Sequence, residues 1–226
     1  MALLTDTSLR QIIYDKIDIP PTDEKITIYP FDEASLTPVG YDLRIGNEYS
    51  ISSEVTKRKL KENEQFTIKS GETALIRIYE RIIMPKDKKI SGIVVSKVSI
   101  TAKGLINSAT TIDPDWEGHL LLVLHNHSKS SVTLNQGQPI CTALFFGNSS
   151  PSTKPSKKYD ERNDLLVDFW NQINSSAMKR RVFYKILSPV IIAISFFIGY
   201  YFFGNAPGLI ASVAVGVAIS QYISNK

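Results

Sequence analysis

Between Ile186 and Asn225 the sequence carries no ionised side chain. The run is about 40 residues long, roughly twice what one bilayer-spanning helix needs. It therefore predicts two transmembrane helices, over about 182–203 and 209–222, joined by the turn Gly204-Asn-Ala-Pro-Gly. Tyr200 and Tyr201 suit one membrane interface and Tyr222 the other. Gly208, Ala211, Ala214, Gly216 and Ala218 would let the helices approach closely, or would face lipid loosely. A buried hairpin inside a soluble protein is the rival reading, against which stands the lack of a polar face. Basic residues set the orientation: Lys179, Arg180, Arg181 and Lys185 precede the first span, Lys226 ends the chain, and the turn has none. Both termini and everything before residue 179 are then expected on the cytoplasmic side of an inner membrane.

The same cluster disposes of a nucleic-acid reading. The formal charge is only +4, and much of the surplus sits in those four membrane-flanking residues. The chain has one cysteine, Cys141, in an apolar strand-like run. That excludes an internal disulfide framework, fits a reducing compartment, and reads as a small core residue. The N-terminus lacks a basic flank followed by a long apolar core, so it is not a secretory signal.

Ahead of the hairpin the periodicity changes twice. From Leu3 to Ile13, Leu9, Ile12 and Ile13 recur at helical spacing behind Thr5 or Asp6 as cap. Short β-branched or aromatic runs follow, beginning at Gln65, Thr73, Ile90, Leu120, Ser131 and Pro139. Turn clusters at Lys69-Ser-Gly-Glu, Met84-Pro-Lys-Asp and Asn135-Gln-Gly-Gln separate them. Several short strands without long helices between them predict an antiparallel sandwich or barrel. A Ser/Pro-rich linker is expected over 148–158, then an amphipathic connecting helix over 159–178, with Leu165, Leu166, Phe169 and Trp170 on one face. The hairpin module would occupy 179–226.

Three stretches together resemble the deoxyuridine triphosphatase and deoxycytidine triphosphate deaminase superfamily. The first runs from Ile28 to Asn47 and contains Gly40-Tyr-Asp-Leu-Arg, with Leu3 to Ile13 similar to the deaminase branch's N-terminal helix. The second is Ser96-Lys-Val-Ser-Ile-Thr-Ala-Lys-Gly-Leu, in place of the family's Arg-Ser-Ser-Leu phosphate turn. The third is Ile112-Asp-Pro-Asp-Trp-Glu-Gly-His-Leu-Leu-Leu-Val-Leu-His-Asn, followed by Gly137-Gln-Pro-Ile-Cys-Thr-Ala-Leu-Phe. The likeness covers roughly residues 1–147. It implies a mainly β, jelly-roll or barrel domain that forms a homotrimer with nucleotide sites between subunits.

The resemblance also assigns site residues. Asp113 would be the carboxylate beside the nucleoside, able to take a proton from water. Asp115 would lie nearby, and Trp116 would floor the sugar. Lys97 and Ser99 would hold phosphate, with Mg²⁺ accompanying the nucleotide, and Asp42 would help place metal-bound phosphate unless it contacts Arg44 instead. A deaminase needs a glutamate on the strand after the Asp-rich turn; this chain has Val123 there, and an apolar side chain transfers no proton. The triphosphatase Arg-Ser pair has become Lys97-Val98, and lysine lacks the fork that grips two phosphate oxygens. No Gly-rich C-terminal arm is present to close over a nucleotide. His119, His125 and His127 alternate along a strand and invite a metal reading, against which stands the lack of an acidic or Cys partner at ligand spacing. Lys86-Asp-Lys-Lys reads as a solvated turn.

Three functions follow. The first is a membrane effector or sensor, in which a cyclic nucleotide or deoxynucleoside triphosphate bound with little turnover shifts the hairpin, as in bacterial antiviral signalling. The second is a membrane-tethered enzyme of pyrimidine deoxynucleotide metabolism. The third is a scaffold that brings a protein partner to the bilayer.

Overall fold

A computed structural model describes residues 2–16, 24–52, 58–155, 168, 183, 186–202, 204 and 206–224. The chain divides into two compact units, Met1–Trp170 and Asn171–Lys226.

The first unit is built from strands, as the short alternating runs predict. They are β1 (Ala2–Leu3), β2 (Ile13–Tyr14), β3 (Ile26–Tyr29), β4 (Leu36–Thr37), β5 (Gly40–Ile51), β6 (Arg58–Lys59), β7 (Gln65–Ile68), β8 (Thr73–Ile83), β9 (Ile90–Ser96), β10 (Leu105–Asn107), β11 (Thr110–Ile112), β12 (Glu117–Asn126), β13 (Val132–Asn135) and β14 (Pro139–Gly147). The main path runs β10-β12-β8-β5-β14-β9-β11, and β13 and β7 form a separate pair. Helix α1 (Asp6–Ile12) and the single turn α2 (Val98–Thr101) lie among these strands.

Strand β5 joins the two halves of that path. Tyr41 to Arg44 pair with β14, and Ile45 to Ile51 pair with β8 across a register shift between Ile45 and Tyr49. A shift of this kind bends a strand and lets it pass from one sheet to another. Gly46 permits the bend, because a Cβ there would lie 2.5 Å from the Arg77 carbonyl oxygen. Period-two alternation sends Tyr41, Leu43 and Ile45 into the core, where they meet Ile76, Ile78 and Ile82 of β8, Leu120, Leu122 and Leu124 of β12, and Cys141, Ala143 and Phe145 of β14.

A charged pair sits inside this apolar assembly. The Arg44 backbone N–H donates to Glu80 Oε2 at 2.9 Å, and its Nε donates to Glu80 Oε1 at 2.5 Å. Its two terminal nitrogens donate to Asp32 Oδ2 at 3.0 Å and the Pro30 carbonyl at 2.9 Å. Burial pushes the Glu80 carboxyl up despite these bonds. Burial alone would pull the Arg44 guanidinium down, but its bonds and charge attraction to Glu80 outweigh that and hold it above its usual value.

Three sequence expectations change. The N-terminal helix is shorter than Leu3 to Ile13: Ala2 and Leu3 pair with Gly147 and Phe146 of β14, and the helix begins at Asp6. Thr5 occupies the N-cap position without a side-chain cap. Second, the chain after β14 does not leave at once. Asn148 N–H donates to the Lys89 carbonyl at 2.7 Å and Ser152 N–H to the Lys88 carbonyl at 3.1 Å, so this segment runs beside the start of β9.

The third change concerns the hairpin. Among the described residues no helix is both long and apolar enough to cross a membrane. Helix α4 (Ala206–Ser224) has 19 residues, a rise of about 28 Å against a hydrocarbon core of about 30 Å. Residues 186–202 form the described part of α3 and are shorter. The two helices are antiparallel neighbours: the hydroxyls of Ser188 and Ser220 are hydrogen-bonded, and a Cβ on Gly216 or Gly199 would collide with Ser195 or Ser212. The close approach uses Gly216, as the sequence suggests, and Gly199, each opposite a serine; Ala211, Ala214 and Ala218 are exposed. The connecting helix expected at 159–178 lies outside the described residues apart from Asp168, as do Lys179, Arg180, Arg181 and Lys185.

Removing Glu80 would leave a largely buried guanidinium short of its main counter-charge. Glu80→Ala is expected to lower stability by about 3 kcal/mol, read as a lower urea midpoint with an unchanged slope. An unshifted midpoint would show that the pair does not brace the barrel.

Candidate functional site

The strand order explains how the phosphate-turn residues meet. In the path β5-β14-β9, Thr142 of β14 lies opposite Asp42 of β5, and Cys141 lies opposite Ser96 of β9. Lys97 follows Ser96 directly and reaches back over β14. Its Nζ donates to Asp42 Oδ2, and Thr142 Oγ1 donates to Asp42 Oδ1 at 2.7 Å. Asp42 is only 8% exposed. Its partners are thus Lys97 and Thr142, while Arg44, the alternative contact, is taken by Glu80 and Asp32.

Lys97 is also the N-cap residue of α2. Its carbonyl accepts from the N–H groups of Ile100 and Thr101, and the Val98 carbonyl accepts from Ala102. The first N–H groups of such a turn, here those of Val98 and Ser99, have no partner within it. Both residues are exposed, Val98 by 84%. The Val98 side chain offers phosphate no hydrogen bond.

Asp113, Asp115 and Trp116 form a second group. Trp116 N–H donates to the Asp113 carbonyl at 3.0 Å, closing a turn, and the indole N–H donates to the Gly118 carbonyl at 3.2 Å. Trp116 packs half-buried against the core. Asp115 Oδ2 lies 3.7 Å from Lys88 Nζ, so the Lys86–Lys89 turn touches this group. The two groups do not meet within one chain. Ile112 is paired with Gly92 of β9, whereas Lys97 follows the far end of that strand, about 16 Å away at the strand rise per residue.

Val123 lies on the outer face of β12, 44% exposed, with Leu122 and Leu124 turned inward. Of the histidines, His119 Nδ1 is 3.1 Å from the Ile78 carbonyl, His125 Nδ1 is 2.8 Å from Thr73 Oγ1, and the His125 and His127 rings are 4.3 Å apart. Among the described residues no three His, Cys, Asp or Glu side chains gather as metal ligands. Asp42 has both oxygens engaged by the protein. The described residues of one chain therefore form no cage for a protein-held Mg²⁺ ion.

Sequence reading missed Thr142 and Glu80. Each acts across a strand pairing, between β5 and β14 or β5 and β8, and no local pattern marks such a partner.

A family model described as dCTP deaminase-like matches residues 4–147. The chain belongs to this family. A dCTP deaminase of Thermococcus kodakarensis is 36% identical over 132 residues, covering 58% of this chain and 83% of the relative. A relative from Methanosphaera stadtmanae, named dCTP deaminase, dUMP-forming, is 27% identical over 194 residues, covering 77% of this chain and 93% of that protein. Among solved structures, the 2'-deoxycytidine 5'-triphosphate deaminase of Agrobacterium tumefaciens matches with a TM-score of 0.50 at 13% identity. The match covers 64% of this chain and 48% of that one, and at this identity it speaks for the mainly β, dUTPase-like fold alone.

Within the family frame Cys141 is a packing residue. It is fully buried, and burial, with the negative charges of Glu80 and Asp42, pushes its thiol well above the usual range. An aromatic disulfide reagent is expected to leave the folded protein unlabelled and to titrate one thiol after denaturation. Rapid labelling of the native chain would contradict this placement.

Proposed function

We propose that this chain is an enzyme of pyrimidine deoxynucleotide metabolism that splits the triphosphate of its substrate and leaves the base intact. The carrying observation is Val123, an exposed apolar side chain where the resemblance puts the deaminase glutamate. Adding water to a cytosine ring requires a group that moves protons between oxygen and nitrogen, and valine has none. Hydrolysis makes no such demand. Asp113 accepts a proton from water as it attacks phosphorus; one phosphorus–oxygen bond forms, the next breaks, and pyrophosphate leaves with the electron pair. Lys97 and the N–H groups of Val98 and Ser99 hold the phosphates. The relative named dCTP deaminase, dUMP-forming supports the cleavage of the triphosphate alone, since its named product is a monophosphate.

Asp113 and Lys97 stand too far apart in one chain to share a nucleotide. The reading therefore includes a homotrimer, as the resemblance implies, in which Asp113 and Trp116 of one copy face Lys97 and Ser99 of another. Because the matched relatives are named for nucleotide chemistry, an enzyme is favoured over a ligand-gated antiviral effector or a scaffold.

The purified full-length chain is expected to release pyrophosphate from dUTP or dCTP and no ammonia from dCTP. Asp113→Asn is expected to lower kcat by about 10²-fold or more. Ammonia release by the unmodified protein, or turnover unaffected by Asp113→Asn, would end this reading.

A second element is membrane attachment through the C-terminal unit. The observation favouring it is the outer surface of the hairpin: Ile186, Val190, Ile194, Phe196, Phe197, Ile198, Tyr200, Tyr201 and Phe202 on α3, and Ile210, Val215 and Ile219 on α4, are all exposed. Water does not favour so much apolar surface, whereas acyl chains do. With the basic cluster before it, the hairpin would enter an inner membrane from the cytoplasmic face. The full-length chain is expected in the membrane pellet after an alkaline carbonate wash. Recovery in the supernatant without detergent would refute attachment.

A further inference from the structure

The phosphate end of the site contains a side chain that neither the sequence pattern nor the family comparison assigns. We propose that Thr142 is the positioning residue of the phosphate clamp, acting on Lys97 through Asp42. This inference rests on the nucleotide-handling reading above. Thr142 Oγ1 donates to Asp42 Oδ1 at 2.7 Å, and Lys97 Nζ donates to the other oxygen of the same carboxylate. A carboxylate in so enclosed a place needs its lone pairs filled, and both oxygens are claimed by Lys97 and Thr142. The ammonium is fixed in turn. Lysine has three donors and a flexible stem; with one donor committed to Asp42, two remain for phosphate oxygens. An arginine fork would supply such geometry by itself. Here a lysine obtains it from a carboxylate beneath it and a threonine that locks the carboxylate.

The arrangement also changes what Asp42 does. Instead of a metal-facing group, it is the counter-ion that orients Lys97. Any divalent cation then arrives with the triphosphate.

The test uses the full-length chain and isothermal titration calorimetry with two probes, a non-hydrolysable imido analogue of dUTP and the nucleoside deoxyuridine. Thr142→Val keeps the shape and removes the donor. It is expected to weaken the triphosphate analogue about tenfold while deoxyuridine affinity stays within about twofold, because a hydrogen bond to a charged group is lost at the phosphate end only. Thr142→Ser is expected to restore the affinity. Should Thr142→Val fail to fold, Thr142→Ala removes the same donor and is compared with the serine variant in the same way. Triphosphate affinity unchanged on loss of the donor, parallel loss of both ligands, or no rescue by serine would each overturn the role of Thr142 while leaving nucleotide binding intact. If the unmodified chain bound neither probe, the nucleotide reading would fall, and this inference with it.

Discussion

Most of the first unit depends on β5 being a strand that two sheets share. Sharing requires close backbone contact on both sides, and two glycines permit it. A side chain at Gly40 would run into the Ala143 carbonyl of β14, and one at Gly46 into the Arg77 carbonyl of β8. Between them the strand alternates: Tyr41, Leu43 and Ile45 fill the core, and Asp42 turns to the side where Lys97 and Thr142 wait. Burial pushes the Tyr41 phenol up to about 12, with the hydrogen bond from Asp32 N–H at 2.8 Å opposing part of that shift. Packing and polarity are therefore not separable along this strand. A register slip by one residue would exchange the core set for the polar set.

The legible parts of the molecule are those with a local cause. Period-two apolar runs gave away β7, β8, β9, β12, β13 and β14, and the helical spacing of Leu9 and Ile12 exposed most of α1. The twelve-residue β5 was visible only as a family signature, because its alternation is broken by Gly46 and Asn47 and its ends pair with different partners. The site divides along the same line. The retained carboxylates and the Lys97-Val98-Ser99 turn can be read in order along the chain. The contacts that orient them cannot, since Thr142 is a hundred positions from Asp42 and Glu80 reaches Arg44 from another strand. The hairpin illustrates the opposite case. Its lack of charge is obvious in sequence, yet the residues that make its seam include serines, which composition alone does not single out.

The substitutions in the phosphate turn differ in consequence. Losing the hydroxyl of a serine at position 98 removes one donor, but the turn's own geometry still presents a backbone N–H there. Replacing arginine by lysine at position 97 removes a rigid fork, and a neighbouring carboxylate with its threonine partner makes good part of that loss. Neither change removes a group that must itself gain and lose a proton. Position 123 is different. No rearrangement of neighbours turns an isopropyl group into a proton carrier, and no other acid on β12 points outward beside it: Leu121 and His125 are its nearest neighbours on that face, and Glu117 stands at the start of the strand. The departure at position 123 is thus the one that its neighbours cannot offset.

The same distinction between dispensable and indispensable groups governs the hairpin. Two helices in lipid gain no hydrophobic free energy from meeting each other, so their association must come from close packing and from hydrogen bonds made inside the pair. The α3–α4 seam supplies both: Gly199 and Gly216 let the backbones approach, and Ser188 meets Ser220 across the gap. Turning hydroxyls inward leaves many large apolar side chains on the outside of both helices. A hairpin that docked on one side of a soluble partner would need such a surface on one face only. The hairpin's exposed apolar side chains suit the bilayer proposed above, and Ser188 and Ser220 are satisfied by each other.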